Sequence, residues 1–279
     1  MSWNLGGQWS AFRPVFVEGN WWYDEDSNTI GYRFGDDEED EWGDTNWEFP
    51  GPDKYPEIAA EVSPGWTAKA GEKALHEALV AGDPHAIDLV AGQHPDYRNT
   101  ADTLAGLLSL NTRRSYAGEL LDRAIASGYE PQEDPFIGTY LRGAGIVVPI
   151  SPGVVVPLPL MRTAVALAAA ELHQAAAEYE RAIDVLEPVE RTTHVTLSLT
   201  ELFCDAERYA DAVAATDGIV NTDDVAALTL AYRARAQGEL GDTAGAAATL
   251  DAVLTRGHPS EEVVDFARIV QSSLDAAAP

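Results

Sequence analysis

At 279 residues, 46% of them hydrophobic, the chain is long enough to bury a substantial core. Its formal net charge is −28, from 46 acids against 18 bases, so its surface repels phosphate backbones and anionic lipid. That argues against nucleic-acid and membrane-surface partners and favours neutral or cationic ones.

The bases include only three Lys, at Lys54, Lys69 and Lys73. Acid excess with scarce Lys fits either a high-GC genome that encodes Arg and Ala instead, or a salt-adapted proteome. Cys204 is the only cysteine, which excludes an intrachain disulfide; in an apolar helical stretch it reads as a packed thiol rather than a nucleophile. The N-terminus lacks a basic region followed by an apolar run, so no signal peptide is expected. The most apolar segment, Ile146 to Leu160, is too short and too Pro-rich to span a bilayer. A cytoplasmic protein is the simplest expectation.

Residues 1–56 form an acidic, Trp-rich N-terminal segment. All seven Trp of the chain fall between Trp3 and Trp66. Trp21-Trp22-Tyr23 and Ile30-Gly31-Tyr32-Arg33-Phe34 flank Asp24-Glu25-Asp26-Ser27-Asn28, a pattern that predicts a β-hairpin. The same turn begins like a calcium loop, but Thr29 stands where Gly is needed and Gly35 where Glu is needed, so a turn explains it better. From Asp36 to Pro56 the chain is acidic, aromatic and then Pro/Gly-rich, which predicts an extended linker.

Residues 57–145 predict helical hairpins. A helix over Ala68 to Val80 closes at Gly82, and Asp83-Pro84 supplies an N-cap and a first-turn Pro for Pro84 to Ala91. The next pair is Thr100 to Leu110 with Ser115 to Ala126, and Asp134-Pro135 starts a short helix. Residues 146–158 are β-branched, uncharged and broken by three Pro and Gly153. They predict a two-stranded arm turning at Ser151-Pro152-Gly153, packed on the helices or joining a homo-oligomer.

Helical hairpins resume over residues 159–279. The predicted pairs are Leu160 to Leu172 with Ala175 to Leu186, His194 to Asp205 with Tyr209 to Ile219, and Asp223 to Leu240 with Thr243 to Thr255. A last helix, Glu261 to Ala276, has the place of a closing cap. Tyr209 and Ala212 recur as Thr243 and Ala246, 34 positions on, and Leu172 and Ala175 hold similar places 37 positions before. Small residues at such intervals let neighbouring helices approach closely, and a period near 34 marks a helical-hairpin solenoid.

These hairpins resemble the tetratricopeptide repeat (TPR), and the chain looks like actinobacterial TPR proteins without an assigned activity. The best match runs Leu230-Ala231-Tyr232-Arg233-Ala234-Arg235-Ala236-Gln237-Gly238-Glu239-Leu240-Gly241-Asp242-Thr243-Ala244-Gly245-Ala246. Leu172, Ala175, Tyr179 and Ala182 match a second unit, Leu199, Phe203, Tyr209 and Ala212 a third, and Leu104, Ala105, Leu108, Ala117 and Ala124 a looser fourth. The resemblance implies a mainly α, TPR-like α-solenoid, and with it a non-enzymatic interaction module, a scaffold or adaptor, that holds a protein or peptide segment along the first helix of each pair.

In that register the groove is lined by Asn99, Asp102 and Ser109, then His194, Leu197, Glu201 and Asp205, then Leu228, Arg235 and Glu239. The family's carboxylate clamps use Lys and Asn, and Lys is absent after Lys73, so a neutral or basic peptide fits better. Trp42 and Trp47 are candidates for a docking segment, with Arg113-Arg114 or Arg233 and Arg235 as receptors. The six His (His76, His85, His94, His173, His194 and His258) show no metal-ligand spacing, and no phosphate loop or nucleophile motif is present, so neither cofactor nor metal is expected. The alternative is an enzyme or small-molecule-binding protein with a pocket between the Trp-rich segment and the first helices, where aromatic rings beside carboxylates suit a cationic or sugar-like ligand.

Overall fold

The computed structural model describes residues 20–24, 29–33, 70–152, 154–255 and 259–277. The linker expected over 36–56, Trp42, Trp47 and the pocket placed beside the Trp-rich segment lie outside the described residues. Strands β1 (Asn20–Asp24) and β2 (Thr29–Arg33) pair antiparallel, with Trp22 opposite Gly31, as the aromatic runs predict.

The rest of the described chain is mainly helical. Helices α1 (Ala70–Ala81), α2 (Pro84–Gln93), α3 (Arg98–Ser109), α4 (Arg114–Ala126) and α5 (Pro135–Tyr140) precede strands β3 (Gly145–Ser151) and β4 (Val154–Pro159). Then come α6 (Arg162–Ala175), α7 (Tyr179–Leu186), α8 (Thr193–Asp205), α9 (Tyr209–Ala215), α10 (Asp224–Glu239), α11 (Thr243–Leu254) and α12 (Glu261–Ala277). The helices divide into two compact units, Met1–Val147 with Pro159–Met161, and Val148–Leu158 with Arg162–Pro279.

In the first unit the capping signals work as read. Asp83 accepts from the His85 N–H at 2.9 Å, and Pro84 fills the first turn of α2, where its missing N–H costs nothing. Asp134 caps α5 through the N–H groups of Phe136 and Ile137. The same carboxylate accepts from the Thr100 and Tyr129 hydroxyls at 2.6 Å, so one acid ties α5 to α3 and to the segment after α4. Gly106 lies where α3 crosses α4: a Cβ there meets Leu121 Cδ2 at 2.5 Å, so any side chain would force the buried Leu121 to move.

In the second unit, α6 packs on α7, α8 on α9 and α10 on α11, and each pair also touches the next. First helices meet along the series α6–α8, α8–α10 and α10–α12, and second helices touch the following first helix (α7–α8, α9–α10, α11–α12). The small residues expected at the crossings, Ala182, Ala212 and Ala246, are fully buried. Here the structure corrects the register of the first pair. Leu172 and Ala175 lie in α6, and the residues that open the second helix, as Tyr209 and Ala212 do, are Tyr179 and Ala182.

The turn explains the slip. Gly241 (φ 84) is left-handed before the α11 N-cap, but Ala177 (φ 59) and Glu207 (φ 58) take that role before α7 and α9. All three turns close alike: the N–H groups of Glu178, Arg208 and Asp242 donate to the carbonyls of His173, Phe203 and Gln237 at 2.7–2.9 Å. A left-handed Ala inside Ala175-Ala176-Ala177 is invisible to a propensity reading, which scores that run as good helix.

The uncharged arm forms the two-stranded β3–β4 sheet, with one strand ending at Ser151 and the next starting at Val154, and the Leu160 N–H donates to the Ala144 carbonyl at its base at 3.0 Å. Side chains on β3 alternate in burial, with Ile146, Val148 and Ile150 inside, whereas on β4 every second residue is exposed. Among the described residues no helix is long and apolar enough to cross a membrane.

Candidate functional site

Strand β3 ends on the second unit's first helices. From α8, the Ser198 hydroxyl donates to the Ile150 carbonyl at 2.9 Å. From α10, the Tyr232 hydroxyl lies 3.3 Å from the Ser151 hydroxyl, both groups buried. Ser198 falls on the helical stripe of His194, Glu201 and Asp205, and Tyr232 falls on that of Leu228, Arg235 and Glu239. The line assigned to a groove thus already carries an extended piece of the same chain.

Behind this contact sits a polar cluster. Glu201 is 5% exposed; its Oε1 accepts from the Gln174 amide of α6 at 3.0 Å, and the same amide reaches Asp205 Oδ2 at 3.3 Å. Arg235 Nη1 donates to Asp205 Oδ1 at 3.3 Å, so the one cation here is engaged with the more open acid. Glu201 Oε2 is buried without a hydrogen bond of full geometry, although the Ser151 and Tyr232 hydroxyls stand close enough to favour its charge. Burial outweighs those hydroxyls and the Gln174 amide, and with the Asp205 charge adding to it the Glu201 carboxyl is pushed up to about 7.

Tyr232 is pinned from the other side by Phe266 of α12, whose ring centroid lies 4.5 Å away. Burial, and then the Glu201 charge, push its phenol upward. Cys204, 1% exposed, has its Sγ 3.6 Å from the Tyr232 carbonyl, and burial pushes the thiol up to about 12. It is a packed thiol in this setting.

The remaining predicted groove residues fall in three places. Leu197, Leu228 and Ser109 are buried, and Asn99 and His194 are half-buried. Asp102 faces its own hairpin partner: Arg123 of α4 clasps both carboxylate oxygens, at 2.8 and 3.1 Å. Asp205, Arg235 and Glu239 reach solvent at the C-terminal ends of α8 and α10. There an open depression of about 600 Å³ is bordered by Asp205, Glu207, Glu178, Glu180 and Arg181. Of the receptors considered for a docking segment, Arg233 is occupied by the Val213 carbonyl, Thr216 and Asp217.

Ser198, Tyr232 and Gln174 are contacts that the sequence reading missed. Their helical spacing to the named residues was visible, but their partners lie 48, 81 and 27 positions away. Among the described residues, no group of three His, Cys, Asp or Glu could hold a metal ion. The arrangement offers a hydroxyl donor to a main-chain carbonyl and a hydroxyl partner to a small hydroxyl side chain, with acids at the open end. Comparison with protein-family models, with curated proteins and with solved structures finds no match.

Proposed function

We propose that the chain is a non-enzymatic, TPR-like α-solenoid, a cytoplasmic scaffold or adaptor, that binds a neutral or basic polypeptide segment in extended form along its first-helix stripe. The observation that carries this reading is the seat of Ile150 and Ser151 on Ser198 and Tyr232, since a face that accommodates one extended strand has the donors and the relief for another. The nesting of α6–α7, α8–α9 and α10–α11 supports the repeat character. Asp205, Glu239 and the carboxylates of the neighbouring depression supply the preference for positive charge.

Display of random peptides against the full chain, followed by titration of the selected sequences, tests this. Selected peptides are expected to be Lys/Arg-bearing or neutral. Asp205→Asn combined with Glu207→Gln is expected to weaken the basic ones about tenfold, with the loss shrinking in high salt. Enrichment of acidic peptides, or no enrichment above scrambled controls, defeats the reading.

A further inference from the structure

The same stripe is closed in the free chain by its own strand. We propose that the end of β3 is a self-ligand: Ile150 and Ser151 occupy the α8–α10 face that an incoming segment needs, and the Glu201 carboxyl is the latch that keeps them there. This rests on the peptide-binding reading for its purpose, and on the seat of the β3 tip and the buried placement of Glu201 for its existence.

Three features make the latch. Ser198 and Tyr232 tie the β3 tip to these helices, and the Ser151 hydroxyl also faces the Glu201 carboxyl. Glu201 lies directly behind them, buried, with one oxygen on Gln174 and the other turned to no donor of full geometry. Its neighbours cannot neutralise it. From α6 it meets the uncharged Gln174, with the buried Glu171 one turn before; from α8 it meets Asp205 and Cys204; from α10 it meets Tyr232, with Arg235 and Glu239 further along that helix; from β3 it meets Ser151. Arg235, the single cation of the set, is already spent on Asp205.

A neutral Glu201 costs less in this enclosure than a charged one, which needs water. Lifting the β3 tip is the smallest movement that supplies it. The closed arm therefore holds the Glu201 proton more tightly than the open arm does, with a value near 7 against an ordinary 4.5. Closure is favoured in full below the ordinary value and loses that advantage as pH rises through the higher one. Complete hydration of the carboxyl shifts the open-to-closed ratio about 300-fold; because α6 and α10 still cover it, about tenfold is expected.

Amide hydrogen exchange on the full chain at pH 5.5 and pH 8, corrected for intrinsic rates, reads this directly. The amides of Ile146, Val148, Ile150 and Ser151 are expected to lose about tenfold in protection at pH 8, while those of α11 hold. Glu201→Gln keeps the shape and the Gln174 contact and is expected to hold β3 closed at both pH values. Ser198→Ala, which removes the contact to the Ile150 carbonyl and leaves the groups that act on the Glu201 carboxyl in place, is expected to loosen β3 already at pH 5.5. Equal protection at the two pH values, or an unaltered pH response in Glu201→Gln, overturns the proposal. So does protection that depends on protein concentration, which assigns the seated strand to a second copy. Peptide titration separates the two claims: gating of β3 with no peptide bound at pH 8 ends the functional reading and leaves the latch intact.

Discussion

Asp102 in the first unit and Glu201 in the second are both buried acids on the first helix of a hairpin, exposed by 1% and 5%. Asp102 faces the second helix of its own pair, where Arg123 grips both oxygens. Glu201 faces α6, α10 and β3, where it finds a neutral amide and two hydroxyls, and burial lifts it to about 7. One acid clamps a hairpin; the other is lifted by burial and lies behind a strand. The difference lies in what the facing elements carry: a guanidinium for Asp102, an amide and hydroxyls for Glu201.

The largest expected effect comes from breaking the satisfied pair. Arg123→Ala leaves the Asp102 charge buried and alone, and urea unfolding should show a loss of about 3 kcal/mol. That is the low end for a buried pair, because half of the Arg123 side chain is in solvent. Adding Asp102→Asn to it should recover most of the loss. If both variants are equally unstable, the pair contributes shape rather than charge.

Glu201→Gln sharpens the contrast from the other side. A carboxyl whose proton is held more tightly when folded weakens the fold as pH rises from about 4.5 to about 7. The amide variant should therefore match the wild type near pH 4 and exceed it by about 2 kcal/mol at pH 8. A penalty at both pH values would place Glu201 among the satisfied acids.

Two smaller effects probe how each unit brings its helices together. Gly106→Ala in the first unit drives a methyl into Leu121 and should cost about 1–2 kcal/mol in thermal or urea unfolding. Glu207→Gly in the second relieves a left-handed backbone at φ 58 and should add about 1 kcal/mol, because Gly adopts that conformation without a clash. No gain there would mean that Glu207 makes up its strain with a contact.

Element positions were legible where a local chemical signal marks them. Asp83-Pro84 and Asp134-Pro135 each announce a helix start, and each caps one. The two-stranded arm could be read because Pro forbids a helix there. The turns at Ala177 and Glu207 could not, because neither residue signals a left-handed backbone; the register of the first pair slipped with them. The Asp102–Arg123 clasp depends on how two helices are rotated about each other, and the seat of β3 depends on contacts dozens of residues apart. Periodicity names the stripe, but only the folded chain reveals what already lies on it.

The most direct test of the account is a nuclear Overhauser map of the full chain below pH 6, centred on the Tyr232 ring. Cross-peaks from that ring to the Ser151 β-protons, alongside those to Phe266, are the predicted result. A ring that sees Phe266 and helix neighbours but no proton of Ile150 or Ser151 would mean that the stripe is bare, and both the self-ligand and the reading built on its seat would fall.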